Sequence, residues 1–200
     1  MVRILDNLYR EFDKICSSFA VQKIETVGYT YMAATGIKKI EAQMENFMLR
    51  RNKVERLLAM AEQMLEKTKL FKWGTHKNKD LEIKIGLHVG EVVVGVIGKH
   101  KKQFSLIGTN VNATSRHGST GSKGSITMSR EARAELHTFP DEAFLRRDVY
   151  MKGLCKTKEE TIPVFTFKSN EAARRTTNSS FKLKFKKLVM KVIRSQRISE

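Results

Sequence analysis

Two strand–turn–strand patterns constrain the fold of this chain more than any other feature. Residues 21–27 alternate as a half-buried strand does, and a turn at Gly28 leads into a return strand that ends near Gly36. Residues 81–98 repeat this arrangement, with two strands joined at Gly90. Strands joined by tight turns pair antiparallel, so the sequence predicts a largely antiparallel sheet.

Helical patterns separate the strand pairs. Residues 3–19 carry apolar side chains at helical spacing, and residues 41–68 form the longest such pattern. Shorter helices are predicted from Asn110 and over residues 130–139. Helices alternating with strand pairs predict an α+β sandwich with the helices on one face of the sheet.

Charge and cysteine content narrow the classes of partner. The formal net charge of +17 suits nucleic acid, an anionic membrane surface or phosphate-bearing ligands. Nucleic acid is the least favoured, because the chain has no zinc-finger spacing and no aromatic ribonucleoprotein motif. Cys16 and Cys155 lie far apart in sequence, which favours packed free thiols in a reducing compartment. No apolar run approaches the roughly 20 residues that cross a bilayer.

Four segments carry a resemblance to a known family. In chain order they are KIETVGYTYMAATG (23–36), IKIGLHVGEVVVGVIG (83–98), TNVNATSR (109–116) and MKGL (151–154). Together they resemble the catalytic domain of class III nucleotidyl cyclases, the adenylyl and guanylyl cyclases. The resemblance covers about residues 3–168 and implies a ferredoxin-like βαββαβ core. The family's first strand, which carries an FxDIxxFT-type segment, has no counterpart in this sequence.

The resemblance implies a role for six residues. Asn112 and Arg116 match the family's catalytic Asn and transition-state Arg, and Glu25 and Ser105 match its two base-reading positions. A carboxylate accepts from the N1–H and amino group of guanine, and Ser donates to guanine O6, so this pair favours GTP over ATP. Leu154 replaces the second Lys of the family's KGKG turn. Lys152 and Lys156 are therefore the candidates for triphosphate binding.

Metal binding is not expected from this chain. The family holds its ions with two Asp residues, one on the first strand and one at the position of Tyr29. A Tyr is a poor Mg²⁺ ligand, because Mg²⁺ prefers carboxylate and water oxygens. Asp80 and Glu91 do not match the metal positions. The resemblance therefore implies that Mg²⁺ or Mn²⁺ is supplied through the carboxylates of a partner domain.

The leading hypothesis is the metal-free, base-reading half of a guanylyl cyclase. It would convert GTP to cyclic GMP in intracellular signalling when paired with a second cyclase domain, and the isolated chain would be inactive. The alternatives are a degenerate cyclase-homology domain that dimerises without turnover, an adenylyl cyclase half, and a basic membrane- or nucleic-acid-binding module on the same fold.

The last 32 residues are predicted to differ from the domain. Residues 1–168 are assigned to the cyclase domain, 169–180 to a polar linker, and 181–199 to a basic amphipathic helix. Such a helix suits an anionic membrane surface or a partner, and a solvated tail or the start of another domain are the alternatives. We expect the chain to lie at the cytoplasmic face of a membrane, as part of a larger membrane protein.

Overall fold

The computed structural model describes residues 2–42, 47–73, 79–168 and 188–194. Its helices are α1 (Val2–Ser18), α2 (Lys38–Glu41), α3 (Lys53–Thr68), α4 (Thr109–Thr120) and α5 (Arg130–Ala134). Short 3₁₀ turns cover Phe47–Arg50 and Asp141–Ala143. Its strands are β1 (Gln22–Val27), β2 (Thr30–Thr35), β3 (Lys72–Trp73), β4 (Lys79–Asp80), β5 (Ile83–Val89), β6 (Val93–Ile97), β7 (Gln103–Ile107), β8 (Ser125–Met128), β9 (Phe144–Val149), β10 (Ile162–Phe167) and β11 (Leu188–Arg194).

The long helices follow the apolar pattern, with one change of boundary. α1 matches its prediction to within one residue at each end. The helix predicted over 41–68 begins only at Lys53 as α3, because the Asn52 side chain accepts a hydrogen bond from the Val54 amide at 2.8 Å and caps the helix. Apolar periodicity alone does not reveal this cap.

The main sheet has seven strands in the order β1-β2-β11-β5-β8-β10-β9. The β1–β2, β8–β10 and β10–β9 pairs are antiparallel, whereas β11 runs parallel to both β2 and β5, and β5 runs parallel to β8. The predicted α+β class and the first hairpin are confirmed. The second hairpin prediction is wrong, because both edges of β5 are already paired and β6 pairs with β7 in a separate ribbon.

β11 lies at the centre of the sheet although it comes from the C-terminal segment. Its Val192 stands opposite Ala33 of β2 and Leu87 of β5. The helix predicted for this segment is therefore wrong for residues 188–194, where several β-branched residues favour a strand. The rest of the predicted linker and tail lies outside the described residues. The domain boundary at residue 168 stays a prediction.

Helices cover both faces of the sheet. On one face, buried side chains of α1 and α3 pack against alternate residues of β5, from Ile83 to Val89. On the other face, α4 lies on Gly86, where a Cβ would come within 2.4 Å of the Gly118 backbone nitrogen. The prediction of helices on one face is therefore wrong. Gly86 and His88 belong to the face that α4 covers.

Candidate active site

The carboxylate at the predicted base-reading position is held by a neighbouring strand. Glu25 is half-buried on β1, just after a bulge in the β1–β2 ladder. Its Oε2 accepts a hydrogen bond of 2.7 Å from Nε2 of Gln103 on β7. Gln103 was not predicted as a site residue. The period of two along β7 could have found it, because Gln103 and Ser105 stand two residues apart and so share a face.

Ser105 lies on an open apolar face of the β6–β7 ribbon. Directly opposite residues of an antiparallel pair share a face, and here the pairs are Val93–Ile107, Gly95–Ser105 and Ile97–Gln103. Val93, Ile97 and Ile107 are 50%, 51% and 51% exposed. We call this surface the hairpin face. It places Ser105 and Gln103 among apolar side chains that this chain leaves in contact with solvent.

Asn112 and Arg116 share the exposed side of α4. They are one helical turn apart, and both are exposed, whereas Ala113, Thr114 and His117 of the same helix are buried. Gly108 precedes the helix with φ of 146°, a conformation that favours glycine, and so allows a sharp turn from β7 into α4. This turn brings the helix directly after the strand that carries Ser105.

The start of α4 is tied to the turn after β5 by a polar network of side chains. Asn110 accepts a hydrogen bond from His88 Nε2 at 2.9 Å and donates one to the Glu91 carbonyl at 2.7 Å. The His88 ring stacks on His117 with 5.7 Å between centroids. Burial, and then the nearby His88, lowers the pKa of His117 from 6.5 to about 4. Both histidine side chains are buried here.

The two candidate triphosphate lysines lie in the loop between β9 and β10. Lys152 and Lys156 are both exposed, and Lys152 forms an isolated bridge with Cys155. The backbone amide of Lys156 donates to Glu160 Oε2 at 2.5 Å. The Glu160 carboxylate in this loop would repel a triphosphate electrostatically. The predicted roles of Lys152 and Lys156 did not take this carboxylate into account. The role of these lysines stays a prediction.

The carboxylates of the described residues do not form a donor set for a divalent ion. Tyr29 is exposed at the β1–β2 turn, Asp80 forms an ion pair with Lys72, and Glu91 is exposed. No group of three or more His, Cys, Asp or Glu side chains occurs within the described ranges. The described residues therefore do not fit Mg²⁺ or Mn²⁺, which need several carboxylate or water oxygens.

Two further properties bear on the chain as a whole. Cys16 and Cys155 are both buried and free, and burial raises the pKa of the Cys16 thiol to about 12. Among the parts of the chain that the structure covers, no helix has both the length and the apolar content that crossing a lipid bilayer requires.

Comparison with curated sequences gives relatives named as natriuretic peptide receptors and as guanylate cyclases. The chain is 34% identical over 159 residues to atrial natriuretic peptide receptor 2 of Anguilla japonica, covering 79% of this chain and 14% of the receptor. It is 32% identical over 172 residues to guanylate cyclase beta of Plasmodium falciparum, covering 79% of this chain and 5% of that protein. The chain thus spans a small part of the relatives that it matches.

Comparison with solved structures supports the fold. The guanylate cyclase domain of RhGC from Catenaria anguillulae, solved in complex with GTP, is similar with a TM-score of 0.57 and 22% identity, covering 82% of this chain and 81% of that one. The adenylyl cyclase CyaB from P. aeruginosa is similar with a TM-score of 0.53 and 18% identity, covering 84% and 82%.

A family model decides the assignment. The model described as the adenylate and guanylate cyclase catalytic domain matches residues 1–167, which include Glu25, Ser105, Asn112 and Arg116. The chain therefore belongs to the adenylate and guanylate cyclase catalytic domain family.

Proposed function

We propose that this chain forms the base-reading half of a guanylyl cyclase active site. Paired with a second cyclase domain, it converts GTP to cyclic GMP and pyrophosphate. The observation that carries this proposal is the Glu25 carboxylate, which Gln103 holds on the side of β7 that also bears Ser105. The 3′-hydroxyl oxygen bonds to the α-phosphorus, the bond to pyrophosphate breaks, and the hydroxyl proton is released.

The preference for guanine follows from hydrogen-bond direction. Guanine offers N1–H and an amino group as donors on one edge, and the Glu25 carboxylate is an acceptor. Adenine has an acceptor at N1, which would face the same carboxylate without a proton between them. An acceptor facing an acceptor leaves both unsatisfied, and this mismatch rejects the wrong base more strongly than a change in size does.

The exposed residues of α4 supply the groups nearest to the chemistry. Charge grows on the phosphoryl oxygens as pyrophosphate departs, and Arg116 is a fixed positive charge that stabilises it. Asn112, one turn earlier, orients the ribose. Mg²⁺ or Mn²⁺ would be held by carboxylates of the partner domain, since the described part of this chain offers no donor set for them.

The hairpin face supplies the contact with the partner. Three apolar side chains that are about half exposed surround Gln103 and Ser105. Contiguous exposed apolar patches are a feature of protein interaction sites, and this is the support for a partner at the hairpin face. A partner domain seated on it would remove water from the base-reading residues, which strengthens their hydrogen bonds to the base.

A second candidate is a cyclase-homology domain that pairs and binds nucleotide without turnover. Glu160 at the amide of Lys156, together with Leu154 in place of a lysine, favours this candidate, because both weaken a triphosphate site. An adenylyl cyclase half is a third candidate, which Glu25 disfavours for the reason given above.

The setting proposed for the chain is the cytoplasmic face of a membrane, within a larger protein. The support is the receptor-type name of the curated relatives and the small share of those proteins that the chain covers. The basic C-terminal segment would add attraction to anionic lipids, of about 1 kcal/mol for each Lys or Arg near the surface.

The test is complementation of two incomplete domains. A guanylyl cyclase domain that keeps both metal-binding aspartates, but has its own catalytic Asn and Arg replaced by Ala, is mixed with this chain. We expect cyclic GMP from the mixture and from neither protein alone. A pair that forms and binds GTP but makes no product would support the second candidate, and absence of pairing would contradict both.

A further inference from the structure

The amide group of Asn110 connects two segments that the proposed function treats separately. Its Nδ2 donates to the Glu91 carbonyl, which belongs to the turn between β5 and β6, and its Oδ1 faces His88 Nε2 on β5. Asn110 itself lies in the first turn of α4. The side chain therefore joins the start of the helix to the sheet beneath it and to the ribbon beside it.

The hydrogen-bond directions of this contact are fixed. Because Nδ2 is the donor to Glu91, Oδ1 must be the acceptor, and so His88 must carry a proton on Nε2. The buried Nδ1 of His88 has no hydrogen-bond partner among the described residues, and it lies 3.8 Å from Glu131 Oε2 of α5. Among the described side chains, the other titratable group that faces His88 is His117 of α4, which is also buried.

The turn after β5 is shaped to receive this amide. A Cβ added at Gly90 would lie 2.4 Å from Asn110 Cγ, closer than any side chain allows. Farther along α4, the helix backbone lies directly against Gly86, where a Cβ would come within 2.5 Å of the Thr114 carbonyl oxygen. Asn110 is thus a polar contact that ties the helix to the sheet near its start.

We propose that Asn110, oriented by His88, is a positioning residue that sets the placement of Asn112 and Arg116 on α4. This inference rests on the proposed function for its catalytic consequence but not for its geometry. Asn110 touches no substrate in this scheme. It acts by holding the helix that carries the two residues nearest to the chemistry, and a displacement of about 1 Å in such groups costs on the order of 10²-fold in rate.

The first test locates the ring proton of His88 and needs no enzymatic activity. In ¹⁵N spectra of the histidine rings of the whole chain, we expect the His88 proton on Nε2. A proton on Nδ1 of His88 in place of Nε2 would overturn the proposal, because Asn110 Oδ1 could not then accept from the ring.

The second test follows the helix. Asn110→Ala and Gly90→Ala should shift the backbone amide signals of Asn112 and Arg116. The matched control for Gly90→Ala is Gly95→Ala, which adds a Cβ with no atom within 4 Å and is used only for these spectra. The proposal would also be overturned if the amide signals of Asn112 and Arg116 in Asn110→Ala and Gly90→Ala were the same as in the Gly95→Ala control.

The third test reads the catalytic consequence in the complementation assay. Asn110→Ala should lower kcat by about 10-fold to 10²-fold while KM for GTP changes much less. Thr109→Ala, an exposed change in the same helical turn, is the control and should retain the rate. A folded Asn110→Ala variant with full kcat would contradict the positioning role. If the wild-type pair makes no cyclic GMP, the proposed function fails, and the two spectroscopic tests still decide the geometry.

Discussion

The Arg56 Nη2 atom lies 2.6 Å from Glu41 Oε1, and the Arg56 side chain is entirely buried. The same guanidinium donates to the Ala20 carbonyl at 2.6 Å, and Glu41 Oε1 also accepts from the Gly36 amide at 2.9 Å. One arginine of α3 thus fixes the end of α1 and the end of β2 together. Charged groups this deeply buried occur only with partners, so both partners are needed.

We predict that Arg56→Ala lowers the free energy of unfolding by about 3–5 kcal/mol, because it leaves a carboxylate and a carbonyl without their buried partner. Urea unfolding followed by circular dichroism measures the change. Arg10→Ala is the control, since Arg10 forms an exposed pair with Asp6 on α1 and should cost less than about 1 kcal/mol. Equal losses in the two variants would contradict this account of Arg56.

Acid should destabilise the chain through His117. Its folded pKa is lowered from 6.5 to about 4, so the stabilisation from its neutral form is present above pH 6.5 and is lost as the pH falls through about 4. The free energy of unfolding should fall by up to about 3 kcal/mol across this window. His117→Gln should flatten that part of the profile, whereas His137→Gln, at an exposed site, should leave it as in the wild type.

The base-reading assignment predicts a change of substrate. In the complementing pair, Glu25→Lys with Ser105→Asp should move the preference from GTP toward ATP, because both changes reverse a donor and an acceptor. We expect the ratio of kcat/KM values to change by on the order of 10²-fold or more. Gln103→Ala alone should weaken discrimination without reversing it, since Glu25 would lose its support. An unchanged ratio in the double variant would show that Glu25 does not read the base.

Arg116 should contribute to turnover more than to binding. Arg116→Ala in the active pair should lower kcat by on the order of 10²-fold or more, because charge on the phosphoryl oxygens grows only toward the transition state. KM for GTP should move much less. Arg130→Ala, an exposed arginine on α5, is the control with an equal change of charge. Full turnover by a folded Arg116→Ala variant would show that Arg116 is only a surface residue, and would favour the second candidate, the cyclase-homology domain that pairs without turnover.

The central strand can be tested through its backbone. Proline has no amide hydrogen, and β11 pairs with strands on both sides, so Val192→Pro should break the ladder within the sheet. We expect Tm to fall by at least about 5 °C, as a loss of a few kcal/mol does in a chain of this size. Lys158→Pro, in the exposed loop between β9 and β10, is the control. A Val192→Pro variant as stable as this control would contradict the placement of β11.

The elements predicted correctly are those whose signals lie within a short stretch of sequence. α1, the β1–β2 hairpin and α4 were all recognised from periodicity, turn residues and motif order, because each of these signals lies within a few residues of the element. The family was recognised for the same reason. Of the site, Glu25, Ser105, Asn112 and Arg116 fall within the matched region, while their roles stay predictions.

What the sequence did not predict depends on distant partners. β6 reads as the return strand of β5, but β5 has both edges filled by β8 and β11, and neither neighbour is close in sequence. Gln103 becomes a candidate site residue only through its hydrogen bond to Glu25, which lies 78 positions earlier in the sequence. The sequence of residues 188–194 is compatible with a helix and with a strand. Pairing with β2 on one side and β5 on the other stabilises the strand, and these partners are distant in sequence.

The central position of β11 sets the order in which the chain can fold. Its partner residues on β2 lie more than 150 positions earlier, as in the pair Ala33–Val192, so closing this contact is entropically the most demanding step. During synthesis, the sheet edges that β11 will pair with stay unpaired until residues 188–194 leave the ribosome. These edges belong to two parts of the sheet, β1–β2 and β5–β8–β10–β9. Chaperone binding to the nascent chain would protect these edges from pairing with other chains.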